Sequence, residues 1–277
     1  MIRKDIFMAL LQINFVSRTL KRTVPLTVVL PVDKIFGESP REVKPFKTLY
    51  LLHGLLGNCT DWLCNTRIQQ WAEEQDLAVV MPSGDNSFYI EQMTPNNDYG
   101  AFIGQELVEI TRKMFPLSHK REDTFIAGLS MGGYGAIRNG LKFGENFGYI
   151  ASLSGAVYFF EPCAAGTGSL MGEHTVFGSM EEAAKTDKNP RIALAQLKAR
   201  GVEVPKMYMC CGTEDRLLTA NRSLRDHLLE EGVELTYEES EGNHNWDFWN
   251  EYIRKILCWL PLGEAKAGLN SGNVQAK

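Results

Sequence analysis

The feature that most constrains the fold is a repeated alternation of short apolar runs with segments of helical period. TLYLLHG at 48–54, LAVVMPSG at 77–84, DTFIAGLS at 123–130, YIASLSG ending at Gly155 and KMYMCCG at 206–212 are apolar over most of their length. Strands buried on both faces read this way. Between them, residues 99–114 put Ile103, Leu107, Ile110 and Met114 on one side before Pro116 stops the helix. Further helices are predicted from Met131 to about Lys142, from Thr219 to Glu231 with Gly232 as the stop, and through Trp246, Trp249 and Ile253. The alternation predicts an α/β protein: a mostly parallel sheet with helices on both faces and its chemistry at the carboxyl ends of the strands.

Three stretches depart from that rhythm. Residues 8–31 alternate with a period of two through Leu11, Ile13 and Phe15, then Val24, Leu26, Val28 and Leu30, which predicts an antiparallel pair at a sheet edge where Pro25 is tolerated. The stretch 156–200 is broken by Gly166, Gly168, Gly172, Gly178 and Pro190 and reads as a cap-like insertion of short helices rather than another βα unit. The tail 262–277 has little to bury and is expected to be flexible, leaving 1–261 as a single domain.

A net charge of -5 argues against a nucleic-acid partner. The N-terminus begins with basic residues and an apolar run, but Asp5, Gln12 and Asn14 interrupt it, so neither a signal peptide nor a membrane span is expected. The cysteines, Cys59, Cys64, Cys163, Cys210, Cys211 and Cys258, show no metal-binding spacing and read as reduced residues of a cytoplasmic protein. Homo-oligomerisation is compatible with all of this.

Gly128-Leu129-Ser130-Met131-Gly132 matches GxSxG. The bare pattern arises by chance in about one chain in ten at ordinary Gly and Ser usage, so its setting between an apolar strand and a helix carries the weight. In that setting the serine occupies a strained turn at the top of the sheet, Gly128 and Gly132 keep side chains away, and the following helix aims N–H groups at the site. A serine needs a base and an orienting acid, in the chain order Ser, Asp or Glu, His. Asp215 in CGTEDRL and His244 in EGNHNW follow successive strands, so both fall at the same sheet end as Ser130. Glu214 is the nearest rival acid. His227 lies within a helix, His119 lies before the nucleophile strand and His174 lies in the insertion, which makes each a weaker candidate base. His53-Gly54-Leu55-Leu56-Gly57 resembles the HG segment that donates an oxyanion-hole N–H; the expected pair is the N–H of Leu55 with that of Met131, with Leu56 as the alternative to Leu55.

These motifs, with YLLHGLLGNCTDW, GLSMGGYGA, CGTEDRLL and GNHNWDFW in order, make residues 8–260 similar to the esterase D branch of the α/β-hydrolases. That branch includes S-formylglutathione hydrolases, feruloyl and acetyl esterases and mycolyltransferases, and SGDNSFY looks closest to small bacterial tributyrin esterase-type carboxylesterases. The resemblance implies a serine esterase acting without cofactor on short-chain acyl esters, such as acetylated sugars or phenolic esters, with Ser130, Asp215 and His244 as its triad. The alternatives are a thioesterase such as an S-formylglutathione hydrolase, an acyltransferase, and a non-catalytic ligand-binding scaffold. Expected substrate contacts are His53 and Gly54, with Tyr158, Phe159, Leu170, Met171, Val176 and Phe177 forming a shallow wall over the site.

Overall fold

A computed structural model describes residues 9–32, 45–92, 94–161 and 174–263. Leu170, Met171 and Cys163 lie outside the described residues, as does most of the C-terminal tail. One sheet runs in the order β1-β2-β4-β3-β5-β6-β7-β8. Its strands are β1 (Ala9–Ser17), β2 (Arg22–Leu30), β3 (Lys47–Leu52), β4 (Leu77–Pro82), β5 (Thr124–Leu129), β6 (Tyr149–Leu153), β7 (Lys206–Gly212) and β8 (Leu235–Ser240). The strands from β4 across to β8 pair in parallel, whereas β1–β2 and β2–β4 are antiparallel.

The helices are α1 (Asp61–Asn65), α2 (Ile68–Glu74), α3 (Tyr99–Ala101), α4 (Leu107–Met114), α5 (Met131–Lys142), α6 (His174–Phe177), α7 (Met180–Ala183), α8 (Pro190–Ala199), α9 (Leu218–Glu230) and α10 (Trp246–Trp259). Trp62, Ile68 and Trp71 from α1 and α2 pack with Phe248, Ile253 and Ile256 from α10 on one face of the sheet. Leu107, Ile137, Leu194 and Leu224, from α4, α5, α8 and α9, bury the other face. The chain therefore has the α/β-hydrolase fold, with a doubly covered sheet and an antiparallel N-terminal edge. No helix among the described residues is long and apolar enough to cross a membrane, and Cys59, Cys64, Cys210, Cys211 and Cys258 are free thiols.

Three expectations need correction. Pro25 is not on the outermost strand, because β2 lies between β1 and β4. Its carbonyl accepts the Ser83 N–H at 3.1 Å, so the missing N–H would have pointed the same way, past the last ladder pair of β4 and not at β1. The predicted 99–114 helix exists, but Phe102–Glu106 is π-helical. A π turn carries an extra residue and rotates the following helix. Val108 and Thr111 are consequently buried, while Met114 is 40% exposed. The rotation also turns Glu106 toward the β1–β2 turn, where its carboxylate accepts from the Ser17 hydroxyl at 2.7 Å and the Arg18 and Thr19 amides at 2.6 and 3.0 Å. Lastly, part of the 156–200 stretch does serve as a βα unit. Adjacent parallel strands β6 and β7 require a crossover, and α8 supplies it by packing Ala193, Leu194 and Leu197 into the core beside α5.

Candidate active site

Ser130 follows β5, with the ends of β3 and β6 on either side. Its backbone has φ +52° and ψ -117°, a conformation unfavourable for any residue with a Cβ. Three hydrogen bonds hold that turn: the Ser130 amide donates to Leu153 O at 2.9 Å, and its carbonyl accepts from Tyr134 N at 3.1 Å and Ala156 N at 2.9 Å. Close packing explains the two motif glycines. A Cβ on Gly128 would stand 2.4 Å from Gly132 O, and one on Gly132 would stand 2.5 Å from the carbonyl oxygens of Leu52 and His53. Any other residue would push the elbow away from the strands that support it.

The ends of β7 and β8 bring the next two groups to this point. His244 Nε2 lies 2.9 Å from Ser130 Oγ, and Nδ1 lies 2.8 Å from Asp215 Oδ2. Directly after His244, the side chain of Asn245 caps α10 by accepting the Phe248 amide at 3.1 Å. The Asp215 carboxyl is fully covered, while the His244 side chain retains some exposure. Burial would raise the Asp215 pKa, but the hydrogen bond and charge of His244, with the Leu217 amide that donates to Oδ1 at 2.9 Å, outweigh it and hold the carboxyl below its ordinary range. Glu214, the rival acid, is exposed. His119 is also exposed, and His227 sits on α9, so neither joins the cluster.

The loop after β3 completes the surroundings. Leu56 has φ +64°, and its amide donates to Asn86 Oδ1 at 2.8 Å. Gly54 lies against the serine, since a Cβ there would come within 3.6 Å of Ser130 Cβ. His53 requires a correction: its side chain is unavailable to a substrate. The residue is 1% exposed, Nδ1 lies 2.7 Å from Gly54 O, and Nε2 accepts the Gly84 amide at 2.8 Å. With Tyr89 OH donating to His53 O at 2.9 Å, it fastens the β3 loop to the 83–90 loop. Burial lowers its pKa and keeps the imidazole neutral.

The expected wall is divided. Phe159 is half-buried, whereas Phe177 is 2% exposed and locked among Phe88, Tyr134, Phe159 and Phe160. Phe177 is therefore a core residue that supports the wall from beneath. Met171 lies outside the described residues. No local motif marks Asn86, which reaches the Leu56 amide across 30 residues of chain, or Trp249, whose ring meets the His244 imidazole edge-on at 4.9 Å between centroids.

Residues 17–260 match the Esterase family. An acetyl esterase of Caldicellulosiruptor saccharolyticus is 42% identical over 261 residues, covering 91% of this chain and 98% of that protein. Among solved structures, an S-formylglutathione hydrolase from Staphylococcus aureus superposes with a TM-score of 0.81 at 34% identity, covering 92% of this chain and 99% of the other. The fluorophosphonate-binding serine hydrolase F of the same organism gives 0.81 at 33% identity over 91% and 98%.

Proposed function

The chain belongs to the Esterase family, and from that premise we propose that Ser130 is its nucleophile, His244 its general base and Asp215 the carboxylate that orients the base. The enzyme is a serine carboxylesterase. The observation that carries the assignment is the continuous relay from Ser130 Oγ through both nitrogens of His244 to Asp215 Oδ2. In the proposed cycle, Ser130 Oγ attacks the ester carbonyl as His244 takes its proton, and the resulting imidazolium is stabilised by an Asp215 that stays ionised. His244 then protonates the departing alcohol. Water attacks the acyl-enzyme with the same histidine as base, releasing the acid and regenerating Ser130.

The amides of Leu55 and Met131 are the proposed donors to the oxyanion. Between Leu55 and Leu56, the bond from the Leu56 amide to Asn86 favours Leu55, whose N–H is left for the intermediate. The acyl group is proposed to be small, acetyl through butyryl, and relatives named for acetyl and formyl chemistry support that size. The likeness to an S-formylglutathione hydrolase supports a second reading, hydrolysis of small acyl thioesters by the same relay. The free thiols agree with a reducing, cytoplasmic setting.

The test is a panel of oxygen esters graded from acetate to palmitate, run beside S-formylglutathione, with wild-type and Ser130→Ala proteins. Loss of 10³-fold or more on Ser130→Ala, with fluorophosphonate labelling of wild type alone, is the expected result. Normal turnover by Ser130→Ala would remove the nucleophile assignment. Higher kcat/KM on palmitate than on acetate would remove the short-acyl reading, and a large preference for the thioester would replace it with the second.

A further inference from the structure

Asn221 stands near the start of α9 and is wholly buried. Its Nδ2 donates to two carbonyls, Gly155 O, 66 residues away, and Leu217 O, each at 2.9 Å. Two such acceptors identify this end of the amide as the nitrogen. The other end, Oδ1, is buried with no hydrogen-bond partner among the described residues. A buried acceptor left unpaired is costly, so an apolar side chain would suit the burial of this position better. What the asparagine adds is a forked donor.

The two carbonyls it joins belong to opposite ends of the relay. On the nucleophile side, Gly155 is followed by Ala156, whose amide donates to Ser130 O at 2.9 Å. This loop also lies against the nucleophile helix, since a Cβ on Gly133 would stand 2.9 Å from Gly155 Cα. On the acid side, Leu217 offers its carbonyl to Asn221 and its amide to Asp215 Oδ1, the latter at 2.9 Å. One side-chain amide therefore closes a path of hydrogen bonds from the Ser130 backbone to the Asp215 carboxylate that does not pass through His244.

We propose that Asn221 is a positioning residue for the relay: its forked donor ties the Gly155 loop to the Leu217 turn and so sets the span that His244 bridges between Ser130 and Asp215. The inference rests on the proposed triad. His244 meets Ser130 Oγ at 2.9 Å and Asp215 Oδ2 at 2.8 Å. An imidazole ring is rigid, so both contacts hold only while the two loops keep their spacing. The ladder between β6 and β7 extends as far as the Ser154 amide, which donates to Cys210 O at 2.8 Å. Asn221 makes a further tie immediately beyond it. Neighbours that orient a working group in this manner affect its performance without touching substrate.

The experiment uses the full chain, an acetate ester, and four proteins: Asn221→Leu, Asn221→Thr, Asp215→Ala and the Asp215→Ala/Asn221→Leu pair, each checked for folding by circular dichroism. Asn221→Leu is expected to lower kcat about tenfold while KM stays within about twofold, the pattern of a lost transition-state interaction. The acid limb of the kcat/KM profile should move to lower pH, because a carboxylate that no longer meets Nδ1 squarely stabilises the imidazolium less. A threonine can still donate to Leu217 O, as the Thr111 hydroxyl does to Leu107 O at 2.7 Å on α4. Its single proton cannot also hold Gly155 O. Asn221→Thr should therefore lose as much as Asn221→Leu, and it carries the test if the leucine variant fails to fold. Adding Asn221→Leu to Asp215→Ala should lower kcat by less than about twofold, because the group being positioned is already gone. The proposal is overturned if a folded Asn221 variant shows kcat within twofold of wild type or an unmoved acid limb. Wild-type turnover in Asn221→Thr beside a loss in Asn221→Leu would reduce the role to capping the Leu217 carbonyl and overturn it too. So would a full tenfold loss on top of Asp215→Ala, or failure of both single variants to fold, which would make Asn221 a residue of the fold and not of the relay. Should Ser130→Ala remain active, the triad itself has failed. A dead Ser130→Ala beside normal Asn221 variants fails this inference alone.

Discussion

On the side of Ser130 that faces β6, β7 and β8, Asp215 and His244 arrive after the ends of β7 and β8 and are joined to each other and to Ser130 by one hydrogen bond apiece. On the opposite side, the 83–98 loop, α5 and the stretch from α6 to α8 are joined by aromatic packing and buried charge. There Arg138, 0% exposed, binds Glu91 at 2.5 Å and Asp187 at 2.7 Å, while Lys142 reaches Asp187 at 2.8 Å. Above this ionic cluster Phe88, Tyr134, Phe159, Phe160 and Phe177 interlock. The difference separates two tasks. The relay needs direction, which single hydrogen bonds on rigid strand ends supply; the shelf needs shape, which comes from packing between segments distant in sequence. Substitutions on the relay side should therefore reduce turnover more than stability, and those on the shelf side the reverse.

The sharpest attempt to break that division is Asp215→Ala against Glu214→Ala. Removing Asp215 should lower kcat on the order of 10⁴-fold, because His244 loses both its orientation and the partner of its cation. Glu214 is exposed, and its removal should change kcat by less than about twofold, in line with ordinary surface substitutions. Steady-state kinetics on both variants decide the matter. A larger loss from Glu214→Ala in folded protein would shift the orienting acid by one residue.

On the shelf side, Arg138→Leu should cost about 3 kcal/mol of stability, since it leaves Asp187 beside Glu91 without their buried cation. The low end of the usual range applies because Glu91 is partly exposed and Lys142 still reaches Asp187. Urea denaturation reads the loss. The acetate kcat of the folded fraction should stay within about threefold, by the argument that this group holds shape and does not touch the reacting atoms. Abolished turnover at unchanged stability would contradict the division.

The same contrast explains what could be read from the chain. The relay was legible because each member stands at a strand end in a short motif: Ser130 after FIAGL, Asp215 after MYMCCG, His244 after LTYEES. Topology then needed only the parallel rule to bring them to one edge. The shelf was not legible, because Arg138 meets Glu91 and Asp187 across 47 and 49 residues of chain and no local period signals such a meeting. His53 misled for a related reason: its motif marks a loop near the serine, but burial of the ring depends on Gly84 and Tyr89, which arrive from the next strand connection. The π turn at 102–106 was hidden as well, since Ile103 and Leu107 fit an ordinary helical face until Glu106 is seen to be held by the β1–β2 turn.

His53 gives a smaller and pH-dependent test of the joint between the two sides. Its folded-state pKa lies below the unfolded value because burial penalises the cation, although the Gly54 carbonyl and the charges of Asp61 and Asp85 oppose the shift. The associated stability is complete above the ordinary histidine range and is lost as pH falls below it, where only the unfolded chain takes up the proton. His53→Gln can retain an acceptor for the Gly84 amide but cannot titrate. The urea midpoint of wild type should therefore drop more between pH 8 and pH 5, on the order of the histidine titration window, than that of the variant. Equal drops would show that this buried imidazole contributes nothing to acid sensitivity.

Phe159 provides the finest division, because it belongs to the shelf yet is only partly buried. Its ring lies 5.2 Å from Phe88 and 4.9 Å from Phe177 between centroids, so it is braced by both while part of the residue stays exposed. If that ring limits acyl length, Phe159→Ala should raise kcat/KM for hexanoate relative to acetate by about threefold to tenfold, the range expected when one or two methylenes gain room in an apolar site. Phe177→Ala should behave differently. At 2% exposure it leaves a cavity inside the cluster and should cost about 3 kcal/mol, while the acyl profile changes little at temperatures where the protein stays folded. The ratio of hexanoate to acetate turnover, measured for both variants beside their urea midpoints, separates the roles. An unchanged ratio in Phe159→Ala would make the whole aromatic cluster structural and move the acyl boundary to another part of the cleft. A shifted ratio in Phe177→Ala alone would mean that the buried ring sets the depth of the site and Phe159 merely covers it.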